Sequence, residues 1–549
     1  MSPRRSSAPL GSPGAIVLVL LTILATGCRP AVEEPGPAPA DGETTVVVAQ
    51  PIDIQGTNEL LVQATTIHTA LHYFMLFLPL LEEQADYQDG PPTFAPRLAE
   101  SYELSEDRLA LTFRLRTDIV WSDGVPVTSA DVRFTWEAQT HPEVAWPFVD
   151  TKARIRDVEV IDDHTVRFHF TEVYANQLED VVQGVILPAH AWGKLPFEEW
   201  RSNSAWFDEN LVVNGPFTLE SHTPQQRFVV RRNERYFEPG LPRVDRVVFE
   251  IIPDSANQLN LLRTGKADFV EFVPPAEAES IEADPDLYLV KHIPRFFFYI
   301  AWNVTRPQFA EPEVRRALTL AIDRETIVDT LFYGWATVSH SPLVSNVWAH
   351  NKDLEPWPFD PAAARRLLAE AGWQDTDGDG VLDKDGQPFR FELMTNSENQ
   401  LRKDITVMVQ EQLKQVGIEV VPRSMDFNAL LAPLARQEFD AVVSGLALGT
   451  DLDLTFNFHT RGITEGFNWS GYSNPEMDTL IEASLVALDP AEAKRTFDRI
   501  QVLLHEEQPL TFLYESVRPS GVRQRLQDTN PNSLSSFANL RSWRVEDTP

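Results

Sequence analysis

The sequence predicts an exported protein of the α/β class, and three observations lead to this prediction. Strand-like and helix-like segments alternate along most of the chain, as in α/β folds built on parallel sheets. A short apolar segment near the N-terminus indicates export. Apolar residues make up 43% of the 549 residues, which is enough to form the cores of about two to four domains.

The first 27 residues have the features of a signal peptide. Arg4 and Arg5 give a positive start, and the apolar run at 15–25 is too short to cross a bilayer as a helix. Small residues precede Cys28, the only cysteine in the sequence, as in lipoprotein signal peptides. We therefore expect cleavage before Cys28 and a lipid on its side chain. An ordinary secretory signal followed by an incidental cysteine is the alternative.

The chain beyond the signal peptide begins with a proline-rich segment and is strongly acidic. Four prolines among small and acidic residues predict a disordered tether at 28–43. Residues 1–27 contain two arginines and no acid, so the remaining 522 residues carry a formal charge of −36. Such an acidic chain is unsuited to nucleic acid, because phosphate binding needs clustered Lys and Arg.

The first half of the chain predicts mostly strands. The β-branched residues 44–49 predict a buried strand that begins a parallel sheet at its edge. Thr128, with Asp131 three residues later, predicts the N-cap of a helix with the apolar stripe Ala130, Phe134 and Ala138. Other predicted strands are 109–116, 154–161, 165–170, 217–220, 227–231, 244–252 and 266–270, with a helix at 255–264.

In the second half, strands and helices alternate. The predicted strands are 296–303, 389–394, 418–421 and 440–444, and the predicted helices are 404–416 and 428–436. No repeat of fixed period is present, which argues against a solenoid or a propeller.

Catalytic motifs are missing from the sequence. It has no Gly-x-Ser-x-Gly elbow and no phosphate loop, and His505-Glu506-Glu507 lacks the second histidine of a zinc helix. The 81 acidic residues could include a carboxylate pair for glycoside hydrolysis, which is the remaining enzymatic alternative. We therefore predict a protein that is not an enzyme and needs no organic cofactor.

One loop has the spacing of a calcium site. Asp375, Asp377, Asp379 and Asp383 alternate with glycine at the sharp bend, as in calcium loops. However, Gly386 stands where a helix–loop–helix site has its bidentate Glu. A β-hairpin rich in Asx turns before the strand at 389 is the alternative. The loop predicts a structural calcium ion at most.

Several separated stretches form a pattern of consistent order and spacing. Residues 95–102 read APRLAESY, and FRLR at 113–116 is followed by WSDGVPVTSADV at 121–132. Further stretches are NGPF at 214–217, RNERYF at 232–237, VRRAL at 314–318, AIDR at 321–324 and GYSNPEMD at 471–478. Together they resemble the bacterial oligopeptide- and dipeptide-binding family of extracellular solute receptors. Within the WSDG stretch, Trp121 is predicted as a core residue and Thr128 as a helix cap, not as ligand contacts.

The resemblance implies a two-lobed α/β fold of the periplasmic-binding-protein type II, with an extra domain inserted in the first lobe. Lobe I would comprise 44–76, 206–287 and 517–549, the inserted domain 77–205, and lobe II 288–516. Such a receptor closes over its ligand by a hinge motion. The implied function is to capture a peptide or similar small solute and deliver it to the permease of an ABC importer. The protein would be a monomeric lipoprotein outside the cytoplasm, periplasmic or on the cell surface.

The resemblance also implies the two walls of the ligand site. In the family's peptide receptors, the aromatic strand before the VRRAL stretch lines the cleft, so Phe298, Tyr299, Trp302 and Asn303 are expected contacts. Strand alternation means that about half of the side chains at 296–303 belong to the core. The second wall is the loop after 439–443, which contributes Gly445, Leu446 and Ala447.

An acid of this loop pairs with the peptide ammonium group in the family, but Gly449 aligns with that position here. Asp451 is the expected replacement, with Asp453 as the alternative, unless both match a downstream structural D-P-D element. Further candidate contacts are Trp146 and Phe148 of the inserted domain and Trp348 of lobe II. Sensing or chaperone-like work by a secreted receptor of this fold is the alternative function.

Overall fold

The computed structural model describes residues 42–62, 65–449 and 451–546. The predicted signal peptide, Cys28 and all but the last two residues of the predicted tether lie outside the described residues, as does Thr450. Among the described residues, no helix is both long enough and apolar enough to cross a membrane.

The secondary structure alternates strands and helices, as predicted. The strands are β1 Thr45–Gln50, β2 Leu81–Glu83, β3 Phe94–Pro96, β4 Ala99–Leu104, β5 Ala110–Leu115, β6 Ile155–Asp162, β7 Thr165–Phe170, β8 Phe217–Thr223, β9 Arg227–Arg232, β10 Arg246–Ile251, β11 Phe269–Val270, β12 Leu287–His292, β13 Phe296–Trp302, β14 Ala336–Val338, β15 Asp383–Lys384, β16 Gln387–Pro388, β17 Arg390–Asn396, β18 Glu419–Met425, β19 Ala441–Ala447, β20 Leu510–Ser516, β21 Arg518–Arg523, β22 Leu526–Gln527 and β23 Arg544–Val545. The α-helices are α1 Thr66–Ala70, α2 Ser129–Thr140, α3 Gln177–Val182, α4 Ala189–Trp192, α5 Ala205–Glu209, α6 Ser255–Arg263, α7 Ala278–Glu282, α8 Pro312–Ala321, α9 Arg324–Phe332, α10 Pro361–Glu370, α11 Gln400–Lys414, α12 Phe427–Ala435, α13 Thr455–Phe458, α14 Gly462–Glu465, α15 Pro475–Val486 and α16 Pro490–Glu507.

Lobe I is built on a seven-stranded sheet in the order β12-β21-β11-β1-β10-β9-β8. Strand β1 is parallel to both of its neighbours, β10 and β11, and the other pairs are antiparallel. The expectation that β1 lies at the edge of a parallel sheet is therefore wrong: β1 is central and the sheet is mixed. A β-branched run shows that a strand is buried, but it does not show how many strands lie on each side of it.

Lobe II is built on a six-stranded sheet in the order β14-β20-β13-β19-β17-β18. Strand β13 lies between β20 and β19, and its side chains alternate between two cores. Ile300 and Trp302 enter one core, and Phe297, Tyr299 and Ala301 enter the other. Both faces of β13 are thus covered by protein.

The inserted domain contains a four-stranded antiparallel sheet in the order β4-β5-β7-β6, on which α2 packs. Thr128 and Asp131 form the predicted capping box at the start of α2. The predicted apolar stripe is shifted, because Asp131 points inward and accepts hydrogen bonds from the backbone N–H groups of Thr128 and Ala189 at 2.8 and 2.9 Å. Ala130 is consequently exposed. The fully buried Trp121 belongs to this core, as predicted.

Two short connections join the sheets of the two lobes. Residues 293–295 lead from β12 to β13, and Val517 leads from β20 to β21. The second crossing lies at the position where the predicted lobe II ends, and the domain bounds stay a prediction. The first crossing follows β12, which pairs with β21 in lobe I, so lobe I continues to 292 rather than to 287.

Candidate functional site

A cavity of about 540 Å³ lies between the two lobes. Its first wall comes from residues 59–94 and 146–183, and its second wall comes mainly from Arg295 and residues 446–457. This volume falls within the range of roughly 300–1,000 Å³ that is usual for small-ligand pockets. The cavity is therefore the candidate site for a small solute.

Contacts between the lobes close this cavity. The Ala175 backbone N–H donates to the Leu485 carbonyl at 2.9 Å, and the Asn176 amide donates to the Asp451 carbonyl at 3.2 Å. Tyr87, which precedes the inserted sheet, is 2% exposed and belongs to a core of lobe II. The structure therefore has the lobes in contact, and a solute in the cavity would be enclosed by both.

The first wall contains an unusual helical segment. Helix α1 continues into a π-helical turn at Leu71–Leu76, which places His72, Tyr73 and Phe74 on the cavity. Such turns are rare and are frequent at functional sites. His72 Nδ1 donates to the His68 carbonyl at 2.8 Å. Burial lowers the pKa of His68 and of His72 to about 4, so both rings are neutral near pH 7.

Five carboxylates distinguish the lining of the cavity, and we call them the acidic cluster: Glu59, Glu179, Asp180, Asp451 and Asp453. Burial raises the pKa of Glu59 to about 7, although the Val185 backbone N–H donates to it at 3.0 Å. Burial also raises the pKa of Glu179 to about 7, and the carboxylates of Asp180 and Asp451 add to this shift. Removal from water disfavours the charged form of each group.

On the second wall, the carboxylate of Asp451 lies close to Gly449. A Cβ atom at Gly449 would overlap the carboxylate of Asp451. The Asp451 carboxylate therefore fills the space that a side chain at 449 would take. Burial raises the pKa of Asp451, and the neighbouring Asp453 carboxylate raises it further. This placement supports Asp451 as the replacement for the missing acid.

The cavity brings together only part of the predicted ligand contacts. The candidates that line it are Trp146, Phe148, Leu446, Ala447 and Asp451, together with Asp453, the alternative to Asp451. Which of them contact the solute stays a prediction.

The other predicted contacts are not on this cavity. Trp302 is fully buried and donates through Nε1 to Thr511 Oγ1 at 3.0 Å, and Asn303 donates to the Gln437 and Phe439 carbonyls at 3.0 and 2.8 Å. Phe298 stacks on Tyr514 with ring centroids 4.3 Å apart.

Three more predicted contacts do not line the cavity: Tyr299, Gly445 and Trp348. Tyr299 is 4% exposed in a core of lobe II. A Cβ atom at Gly445 would overlap the Phe296 ring, so glycine there permits aromatic packing. Trp348 packs edge-on against Phe497 at 5.9 Å. For β13, the expectation of a cleft wall is corrected because this strand is central and covered on both faces.

Several residues of the lining were not predicted from the sequence. Arg295 directly precedes β13; its guanidinium lies 3.5 Å from a Glu83 carboxylate oxygen and 5.0 Å from the centre of the Tyr87 ring. Glu59, Glu179 and Asp180 carry no local motif. They become recognisable only when the two lobes are placed together.

The Asp-rich loop combines features of a calcium site and of a hairpin. Oxygens of Asp375, Asp377 and Asp383 lie within 4.8 Å of one another, whereas Asp379 accepts the backbone N–H of Val381 at 2.8 Å in an Asx turn. Strands β15 and β16 form the hairpin that comes next in the chain. Three of the four predicted ligands are thus close enough to share a cation, and calcium binding stays a prediction.

Comparisons with known proteins agree on one family. Residues 93–465 match the family described as bacterial extracellular solute-binding proteins, family 5 Middle. The oligopeptide-binding protein AppA of Bacillus subtilis (strain 168) is 32% identical over 454 residues, which cover 81% of this chain and 82% of AppA. The glutathione-binding protein GsiB of Escherichia coli (strain K12) is 27% identical over 463 residues, 82% of this chain and 84% of GsiB.

Solved structures show the same fold. The structure of Bacillus subtilis AppA in complex with a nonapeptide matches with a TM-score of 0.78 and 29% identity, covering 92% of this chain and all of that chain. NikA from Brucella suis, in complex with Fe(III)-EDTA, matches with a TM-score of 0.81 and 22% identity over the same shares. The two-lobed type II fold expected from the sequence is confirmed.

Proposed function

This chain belongs to the family 5 bacterial extracellular solute-binding proteins, and we propose that it captures a short peptide or similar small solute and delivers it to the permease of an ABC importer. The observation that carries the proposal is the cavity of about 540 Å³ with one wall from each side of the cleft. Receptors of this kind gain affinity by enclosing the solute as the lobes close.

The relatives support a peptide-like solute. AppA is named for oligopeptides and GsiB for glutathione, and both cover more than three quarters of this chain. The position of the Asp451 carboxylate supports the same solute class, since a buried acid can pair with an ammonium group. We propose a binding role rather than a catalytic one, because these relatives are named as binding proteins.

We further propose that Cys28 carries a lipid and that residues 28–43 tether a monomeric receptor to a membrane outside the cytoplasm. The motif before Cys28 and the proline-rich composition of the segment after it support this arrangement. Capture near the permease would shorten the path that the loaded receptor must travel.

Mass spectrometry of solutes released by denaturing the purified protein tests the function. We expect about one small solute per chain, and calorimetry with that solute should show saturable binding to the stripped and refolded protein. Cells that lack the gene should lose uptake of the same solute. Unchanged uptake with intact binding would instead favour a sensing role.

A further inference from the structure

The cavity between the lobes is strongly acidic. Eight acidic side chains line it, against two arginines, Arg154 and Arg295. His68 and His72 also line it, but both rings are neutral near pH 7 because burial lowers their pKa to about 4. Acidic side chains therefore outnumber cationic ones in the lining.

The two arginines already have other partners. Arg154 lies 2.9 Å from a Glu172 oxygen, and Arg295 lies 3.5 Å from a Glu83 oxygen. Across the described part of the chain, no Lys or Arg nitrogen forms an ion pair with a carboxylate of the acidic cluster. The charge of Lys152 attracts Glu59 and Asp180 from a distance, but its ammonium group donates to backbone carbonyls, including that of Gln183 at 2.8 Å. The charges of Arg154 and Arg295 likewise attract Asp180 and Asp451 without forming ion pairs with them.

Asp180 illustrates this lack of ion-pair partners in the cavity wall. The residue is 8% exposed and lines the cavity, where its carboxylate interacts with the neutral Tyr174 hydroxyl and with no cation at ion-pair distance among the described residues. The Tyr174 hydroxyl is itself buried and has no other hydrogen-bond partner among these residues. A buried carboxylate without an ion-pair partner is costly and either takes up a proton or gains a cationic partner.

The acidic cluster contains residues from both sides of the cleft. Glu179 and Asp180 lie on α3 of the inserted domain, and Asp451 and Asp453 lie on lobe II. The Asn176 amide contacts the Asp451 carbonyl and so holds the two sides together. The charge of Asp451 also raises the pKa of both Glu179 and Asp180. Closure of the lobes therefore brings like charges toward each other unless a cation lies between them.

We propose that the solute carries at least two cationic groups, ammonium or guanidinium, which the acidic cluster shares across the closed cleft. A single α-ammonium group would pair with Asp451 and leave Glu59, Glu179 and Asp180 without an ion pair to the solute. This inference rests on the proposed function, because it describes the solute that the receptor captures. Such a solute would also favour closure, since its cations replace repulsion between the lobes with attraction.

Calorimetry on the stripped, refolded protein tests this proposal with probes of matched shape. Tri-lysine and tri-norleucine share a backbone and four-carbon stems but differ in the side-chain ammonium groups, and tri-glutamate reverses the charge. We expect tri-lysine to bind at least about ten-fold more tightly than tri-norleucine, the scale of a lost charge-assisted hydrogen bond. Spermidine, a triamine without a peptide backbone, shows whether the cations alone are sufficient.

Substitutions in the acidic cluster test whether it causes the preference for tri-lysine. Glu179→Gln should reduce the preference for tri-lysine about ten-fold, and Asp453→Asn provides a second variant in case the first does not fold. Glu106→Gln removes an equal charge from an exposed turn between β4 and β5 and should leave the preference unchanged.

Equal or tighter binding of tri-norleucine or tri-glutamate would overturn the inference, as would no binding of any cationic probe. A preference that survives both cluster variants would overturn it too. The proposed function would still stand in each case if a neutral or anionic solute co-purified with the protein. Only the absence of binding by every probe, together with no co-purifying solute, would contradict both.

Discussion

Replacing Glu59 with Gln should stabilise the solute-free protein at alkaline pH but not at acid pH. Burial raises the pKa of Glu59 from 4.5 to about 7 in the folded state. The folded protein then binds more protons than the unfolded chain between these two values, so stability falls as pH rises through this window. Below about pH 4.5 the carboxyl group is protonated in both states and the glutamine should make little difference.

The size of the effect follows from this shift in pKa. Raising the pKa from 4.5 to about 7 lowers the free energy of unfolding of the wild type at pH 8 by about 2–3 kcal/mol. This range allows for screening of the charge by water in the cavity. The glutamine keeps the acceptor oxygen for the Val185 N–H, so Glu59→Gln should recover about that amount at pH 8.

Urea unfolding followed by tryptophan fluorescence at pH 4.5, 6 and 8 would measure the difference from the midpoint and slope. The protein must first be stripped of bound solute, because a ligand stabilises the folded state by mass action. The control Glu106→Gln removes an exposed charge and should show no such dependence on pH. A Glu59→Gln variant that matches the wild type at pH 8, or is less stable there, would refute the reasoning.

Three further predictions concern separate parts of the chain. Asp451→Asn should weaken binding of an ammonium-bearing solute by about ten-fold or more in calorimetry; unchanged affinity would make Asp451 a structural residue. Cys28→Ser should release the full-length body from membranes or leave the precursor uncleaved, and a variant that fractionates and migrates like the wild type would contradict lipid anchoring. Millimolar calcium should raise the melting midpoint relative to chelator, and Asp377→Asn should abolish the rise; no shift in the wild type would favour the plain hairpin.

Local sequence patterns were sufficient to predict many elements of the fold. The capping box of Thr128 and Asp131 predicted the start of α2, because a helix cap depends on neighbours in the chain. The strands predicted at 154–161 and 165–170 are β6 and β7. The separate family motifs predicted the two-lobed architecture. The position of β1 in its sheet was mispredicted, since strand order depends on segments far away in the sequence.

The candidate site was predicted only in part, for the same physical reason. The segment after 439–443 was predicted as a loop that forms one wall, and Leu446, Ala447 and Asp451 do lie on the cavity, as does Trp146. However, β19 extends to Ala447, so the first part of this segment is strand. The aromatic strand β13 was misassigned, because alternation shows two faces but not which elements cover each of them.

The sequence by itself determined the class of the protein: exported, acidic, α/β, and similar to extracellular solute receptors. Only the tertiary structure decided which charges meet in the cleft. Glu59, Glu179 and Asp451 are unremarkable among 81 acids until folding buries them together without ion-pair partners among the described residues. Burial and like-charge proximity are properties of the three-dimensional arrangement, and these two properties make the three residues candidates for binding a cation.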